Sequence, residues 1–177
     1  EYITPARVRE ALNANSGDAS RWPTDHEFMR AWMDARFIER VNDIGRVRYV
    51  LTALEAAMRT SKSEEKGLPT LADVDVDHIL PVQWYDHWPV DGVAVTKAEA
   101  LQAQDIFALT DTSPRKDAIN TREHLKQTIG NLTLIHYGVN RQLQNKAFSM
   151  KREEFFRHSN LHLNRTLMTI ESWDEQA

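Results

Sequence analysis

Apolar residues recur at helical spacing near the start of the chain. The most regular run lies between about Asp43 and Thr60, where three- and four-residue intervals connect Val47, Val50, Leu51, Leu54 and Met58. Residues at this spacing share one face of an α-helix. The pattern therefore predicts a helix with one buried side.

Two shorter helices are predicted before this one. Thr4 followed by Pro5 is typical of a helix start, and this helix should run to about Asn13. Thr24 and Glu27 have the spacing of a capping box, which predicts a second start. The three helices are expected to pack their apolar and aromatic faces together as an N-terminal helical lobe, residues 1–62.

Strand-type sequence follows the polar stretch 61–70. The predicted strand begins at Val74 and ends in Asp77-His78, and Pro81, three residues further on, cannot continue a central ladder. A second strand is predicted at 132–135. These features mark a second domain, residues 70–177.

Helices are predicted in the long insertion between the strands and after the second strand. Thr96 and Glu99 form another capping box, beginning a helix to about Leu109. The other helices are expected at about 114–127, 139–147, 150–158 and 163–173. The fold class is α+β and mostly helical. The aromatic loop 83–93 carries Trp84, Tyr85 and Trp88, for which packing under the insertion is favoured over stacking on unpaired bases.

The composition limits the kinds of domain and metal site that the chain can form. With 177 residues, 41% of them hydrophobic and 27% charged, the chain can form one domain or two small lobes sharing a core. Because the chain has no cysteine, a metal would have to be held by oxygen and imidazole, which favours hard ions such as Mg²⁺ or Mn²⁺. No apolar run is long enough to span a membrane. The first residues do not form a signal peptide, and the chain is expected to be a C-terminal piece of a larger protein.

The net charge of −4 conceals an asymmetry. Residues 61–112 contain ten acidic and three basic residues, a balance of −7, whereas residues 114–165 contain ten basic and four acidic residues, a balance of +6. A basic half suits phosphate binding, because Lys and Arg displace counterions from nucleic acid. Solvated helix faces would explain the same split equally well.

Asp77-His78 is the candidate for chemistry. Phosphodiester hydrolysis needs a base to deprotonate water, and imidazole suits that task near neutral pH. It also needs a cation, for which carboxylate and amide oxygens are suitable ligands. Neighbours in a regular strand point to opposite faces, so both residues serve one site only if the strand ends or kinks there. Each of these residues, taken alone, also has an explanation without chemistry. Asp77-His78 could simply lie at the surface, Asn131 could be a turn residue, and Asn140 could cap a helix.

The joint pattern resembles the HNH (ββα-metal) nucleases. It consists of 76–81 (Val-Asp-His-Ile-Leu-Pro), 130–135 (Gly-Asn-Leu-Thr-Leu-Ile), and Asn140 nine residues after Asn131. With 145–148 (Asn-Lys-Ala-Phe), Lys151 and Trp173, it is most similar to the DUF1524 family. That family is found at the C-terminus of GmrSD-type modification-dependent restriction enzymes and in SspE-type effectors of phosphorothioate-linked phage defence.

The resemblance implies a ββα-metal core with a long insertion between its strands, surrounded by helices. It implies that His78 is the general base, that Asp77 and Asn140 are metal ligands, and that Asn131 orients His78 through the loop backbone. Asn145 would contact either metal or phosphate, or cap structure. The DNA-backbone contacts would come from Arg141, Lys146 and Lys151. Asn140 stands where many HNH members have histidine, which favours one Mg²⁺, or else Mn²⁺, over imidazole-preferring metals.

The implied function is a metal-dependent endonuclease acting on double-stranded phage or foreign DNA in a bacterial restriction or antiphage protein. A single site predicts nicking. A DUF262-type N-terminal domain of the same polypeptide is the expected partner, and the expected location is the bacterial cytoplasm. Two alternatives remain open: a non-catalytic DNA-binding module that uses the basic 114–165 segment, and a helical interaction domain without nucleic acid.

Overall fold

The computed structural model describes residues 2–17, 20–60, 67–102 and 113–174. Contacts divide the chain into two compact units, residues 1–34 and 35–177. Each unit is described by itself. Among the described residues, no helix combines the length and the apolar character needed to cross a membrane.

The first unit contains helices α1 (Pro5–Asn13) and α2 (Asp25–Asp34). Thr4 Oγ1 accepts a hydrogen bond from the Arg7 backbone N–H at the start of α1. Before α2, the Thr24 and Glu27 side chains each accept from the other residue's backbone N–H. Both predicted helix starts are confirmed. Neither helix contains a buried residue, so the expected apolar core is not found in this unit.

The second unit holds seven helices and two strands within the described part of the chain. The elements, in order, are α3 (Phe37–Val41), α4 (Ile44–Met58), β1 (Val74–His78), α5 (Lys97–Gln102), α6 (Pro114–Leu125), β2 (Leu132–His136), α7 (Tyr137–Leu143), α8 (Phe148–His158) and α9 (His162–Met168). The mostly helical α+β class is confirmed.

Most of the predicted elements are present, with shifted ends. The capping box of Thr96 and Glu99 forms as expected before α5. The predicted continuation of that helix beyond Gln102 lies outside the described residues. Helix α3 was not predicted: it has only five residues, no side-chain cap at its start, and Asn42 in the left-handed conformation (φ 43°) at its end.

Strands β1 and β2 pair antiparallel, with Val74 opposite His136 and His78 opposite Leu132. The ladder continues one residue further, since the Ile79 backbone N–H donates to the Asn131 carbonyl at 2.9 Å. Helix α4 contacts both strands and α9. The sequence placed α4 in an N-terminal helical lobe, residues 1–62, that packs on the second domain; in the structure α4 lies in the same compact unit as the strands.

The core lies beside the exit of β1. It combines Ile79 and Leu80 with the aromatic loop and with apolar residues of β2 and the last three helices. Trp84 and Trp88 are buried in it, which confirms their packing role. The Arg122 guanidinium lies 4.9 Å from the Trp84 ring centroid, and Trp84 Nε1 donates to Glu123 Oε1 at 2.7 Å. The segment that follows His78 is thereby fixed by packing.

Candidate active site

Asp77 and His78 both line one small open pocket of about 310 Å³, together with Pro81, Val82, Gln144 and Asn145. Alternation along a strand would separate neighbouring side chains. These two residues share a pocket at the very end of β1. The strand therefore ends where both side chains can serve one site, as the sequence analysis required.

The Asn131 side chain holds the chain where it leaves β1. Its Oδ1 accepts from the Leu80 backbone N–H at 2.7 Å, and its Nδ2 donates to the Leu80 carbonyl at 2.9 Å and to the Lys126 carbonyl at 3.0 Å. Trp173 Nε1 also donates to Oδ1, at 3.1 Å. Asn131 is buried, so these bonds fix the backbone two residues beyond His78.

The His78 imidazole is held in its neutral form. Burial lowers the pKa of His78 to about 4, assisted by the positive charges of Lys151 and Lys126 and opposed by a hydrogen bond with the Gln127 side chain. Its Nε2 atom is buried and has no hydrogen-bond partner among the described residues. A neutral imidazole with a free nitrogen can accept a proton at neutral pH.

The Asp77 carboxylate is buried and has a charged partner. Asp77 Oδ2 accepts from Lys151 Nζ at 2.9 Å. Burial raises the pKa of Asp77, and the attraction and hydrogen bond of Lys151 and the His78 backbone N–H oppose that rise without overcoming it. The carboxylate thus has fewer stabilising partners than its burial requires.

The structure corrects the expected role of Lys151. That residue lies on α8 with 0% exposure, and its Nζ atom donates to both Asp77 Oδ2 and the His78 carbonyl. A side chain enclosed in this way cannot reach a DNA phosphate at the surface. The expected DNA contact of Lys151 is therefore replaced by a contact with Asp77, because the lysine side chain turns inwards.

The other predicted site residues lie on or after α7, which contacts both strands. Asn140 is half-buried on this helix and does not line the pocket. Asn145 lines the pocket, and its Nδ2 donates to Gln83 Oε1 at 3.3 Å. Arg141 is exposed, with its guanidinium 5.8 Å from the Tyr137 ring centroid, and Lys146 is half-buried.

The basic half of the chain is not a continuous basic surface. Arg122 and Lys126 are buried, as is Lys151. Arg115 donates to the carbonyls of Val90 and Ala94 and so braces the insertion. Several of the cations that produce the charge asymmetry therefore stabilise the fold, whereas Arg141 is exposed.

Two residues near the pocket were missed by the sequence. Gln127 bonds to the His78 ring, and Gln144 lines the pocket with a positive φ of 37°. A non-glycine residue in this conformation is uncommon and costs free energy. No sequence signal marks either glutamine, because their roles depend on contacts with distant residues.

The donor set limits the kind of metal that the pocket could hold. Within the described residues, no cluster of three or more His, Cys, Asp and Glu side chains could bind an ion. A cation here would rely on the single carboxylate of Asp77, on nearby amide oxygens and on water. Such oxygen ligands fit a hard divalent cation that keeps part of its hydration shell.

Strand β1 ends in Asp77-His78, β2 pairs with it, and helix α7 contacts both strands. A family model describing the C-terminal domain of GmrSD restriction endonucleases matches residues 22–177, and the chain belongs to this family. It is accordingly a nuclease domain of restriction systems, with endonuclease hydrolase activity on DNA. No curated protein and no solved structure matches the chain.

Proposed function

We propose that the domain is a metal-dependent endonuclease that nicks double-stranded DNA at the pocket of Asp77 and His78, in a bacterial restriction or antiphage protein. The observation that carries the proposal is that Asp77 and a neutral His78, whose Nε2 has no hydrogen-bond partner among the described residues, line one pocket. Family membership supports the reaction class.

In this proposal, His78 Nε2 removes a proton from a water molecule, which then attacks the phosphorus as the bond to the 3′ oxygen breaks. Because the pKa of His78 is near 4, the imidazole is free to accept that proton throughout the neutral range. An approaching phosphate adds negative charge, which raises this pKa and strengthens the base.

Asp77 and Asn140 would hold one divalent cation, Mg²⁺ or Mn²⁺, which neutralises charge on the phosphate and the leaving oxygen. Asn131 acts through the backbone: its bonds to Leu80 keep the end of β1, and with it His78, in place. Asn145 lines the same pocket and is suited to contact the phosphate.

Phosphates outside the pocket would be bound by Arg141 and Lys146. Arg141 is exposed, and Tyr137 supports its guanidinium by a cation–π contact. Such contacts position the DNA backbone without reading its sequence. A single site of this kind cuts one strand, so relaxed circles are the expected product from supercoiled plasmid.

The test uses the whole chain with supercoiled plasmid and either Mg²⁺ or Mn²⁺. Wild type should give relaxed circles, chelation should prevent them, and His78→Ala should lose the activity. His158→Ala is the matched control, because that histidine is exposed on α8. The absence of relaxed product with both metals, or equal product from His78→Ala, would refute the proposal.

A non-catalytic DNA-binding module is the alternative that the same experiment separates. It requires salt-sensitive DNA binding that Asp77→Ala and His78→Ala leave unchanged, with no cleavage by wild type. The burial of Arg122, Lys126 and Lys151 weakens this alternative, since it removes three cations from the surface that would have to bind DNA.

A further inference from the structure

Lys151 combines three properties that packing does not require together. It is completely buried, it reaches Asp77 from a helix 74 residues further along the chain, and it bonds to His78 as well. A buried apolar side chain of similar length would fill the same space without a charge to desolvate. The contacts of the Lys151 ammonium, rather than the packing of its side chain, therefore indicate a functional role.

Those contacts join the two residues at the end of β1. The Nζ atom lies 2.9 Å from Asp77 Oδ2 and also binds the His78 carbonyl. One ammonium thus fixes the direction of the Asp77 side chain and the plane of the peptide that follows His78. Asn131 restrains the same segment two residues later, at Leu80. The Asp77-His78 pair is held from both sides before any ligand is present.

The same ammonium also competes for the Asp77 carboxylate. A divalent cation that binds Asp77 must share that carboxylate with a positive charge in a buried setting, where like charges repel strongly. Lys151 Nζ donates to Oδ2 at 2.9 Å, so a cation would have to bind the carboxylate beside that bond.

We propose that Lys151 is a positioning residue that holds Asp77 and His78 in their working arrangement and, by sharing the Asp77 carboxylate, weakens the affinity of the site for its metal. This inference rests on the proposed function, in which Asp77 is a metal ligand. It makes the nuclease dependent on a free concentration of divalent cation that a lone carboxylate site would not need.

The decisive variant is Lys151→Met, which keeps the length of the side chain and removes its charge. Mn²⁺ binding is measured by electron paramagnetic resonance of the free ion, and the melting temperature is recorded with and without Mn²⁺. Lys151→Met should bind Mn²⁺ more tightly by on the order of tenfold. Nicking at saturating Mn²⁺ should nevertheless fall, because His78 is no longer held.

Opposite changes in metal affinity and turnover are the signature that a purely structural lysine would not produce. Arg59→Met is the matched control: it removes another cation from a buried carboxylate, Glu55, to which Arg59 Nε donates at 3.0 Å. That variant should lose stability while Mn²⁺ affinity stays at the wild-type value. Unchanged or weaker Mn²⁺ binding by Lys151→Met would overturn the inference.

A variant that does not fold still decides the question. If Lys151→Met is unfolded without metal, Mn²⁺ should restore its folding, because the ion takes over the charge balance at Asp77. If Mn²⁺ fails to do so, Asp77→Asn combined with Lys151→Met removes both charges and should fold. Failure of that double variant as well assigns Lys151 to packing alone and overturns the inference.

The two proposals fail in different ways. Wild-type Mn²⁺ binding that is lost in Asp77→Ala supports the metal site itself. If that result holds and Lys151→Met binds Mn²⁺ like wild type, only the inference about Lys151 falls. If neither wild type nor Lys151→Met binds Mn²⁺, the metal site and the proposed function fall together with it.

Discussion

Two carboxylates in the second unit are both buried, yet their environments differ in the number of donors. Glu55 on α4 accepts from Arg59 Nε at 3.0 Å and from the Leu163 N–H at 3.1 Å, and it lies 3.2 Å from His162 Nδ1. Although burial alone raises the pKa of Glu55, these hydrogen bonds outweigh it and the pKa is lowered.

Asp77 has fewer partners. Lys151 and the His78 backbone N–H do not compensate for burial, and the pKa of Asp77 is raised. Glu55 is thus a saturated carboxylate that joins α4 to the start of α9, whereas Asp77 is an unsaturated one that lines a pocket. The contrast supports the proposal that Asp77, and not Glu55, is the buried carboxylate that binds a ligand.

Activity should separate the two carboxylates most strongly. Asp77→Asn should reduce plasmid nicking by about a hundredfold or more, because several kcal/mol of metal-assisted charge stabilisation are lost. Glu55→Gln should keep the wild-type rate per folded molecule. The rates are compared at equal concentrations of folded protein, determined by circular dichroism. Loss of nicking in both variants would mean that the comparison does not divide function from stability.

The loss of folding stability should be larger for Glu55→Gln than for Asp77→Asn. Glu55→Gln removes a buried charge that three residues surround, so the free energy of unfolding should fall by about 2–4 kcal/mol. Asp77→Asn should cost about 1 kcal/mol in the absence of metal, because the amide oxygen of the variant can still accept from Lys151, and the burial that lowers the pKa of Lys151 lets this lysine give up its charge. Urea unfolding in the presence of a chelator measures both. Equal losses of unfolding free energy would contradict the inferred difference in hydrogen bonding between the two carboxylates.

The sequence predicted the parts of this comparison that depend on short-range signals. The capping boxes at Thr24 and Thr96 need only neighbouring residues, and they form as expected. The predicted apolar face of α4 forms only in part, because Val47 and Leu51 are buried whereas Leu54 and Met58 are exposed. Asp77-His78 was also identified, from its position at the end of a strand and from motif spacing.

What the sequence could not predict is which charges meet over long separations. Lys151 contacts Asp77 across 74 residues, and His162 approaches Glu55 across 107. Neither pair has a local pattern. The family resemblance implied that Lys151 contacts the DNA backbone, because a motif position does not show the direction in which a side chain points. The pairing is decided by the packing of α8 and α9 against the strands.

The pH dependence of stability sharpens the comparison further. Because the folded pKa of Glu55 lies below its ordinary value of 4.5, the folded state binds this proton less readily than the unfolded chain. The stabilisation from Glu55 is therefore complete above pH 4.5 and is lost as the pH falls through the folded pKa. The difference in unfolding free energy between wild type and Glu55→Gln should be largest at pH 7 and smallest near pH 3.

Denaturant unfolding at pH 7, 5 and 3 measures that difference. Its reduction below pH 4.5 is expected because wild-type Glu55 becomes protonated there and approaches the neutral variant. A difference that stays constant down to pH 3 would show that the loss in Glu55→Gln comes from altered packing, and the saturated carboxylate would no longer be a valid reference for Asp77.

The smallest expected effect concerns the hydrogen bond between Trp173 and Asn131, the residue that precedes β2. Trp173→Phe removes the Nε1 donor to Asn131 Oδ1 while keeping an aromatic ring beside Phe148, 6.1 Å away between centroids. Asn131 keeps its bonds to Leu80, so stability should fall by about 1 kcal/mol. Trp22→Phe is the control, because Trp22 is 54% exposed. If Trp173→Phe lowers nicking as strongly as Asp77→Asn does, Trp173 belongs with the catalytic pair and its contact with Asn131 is more than a brace.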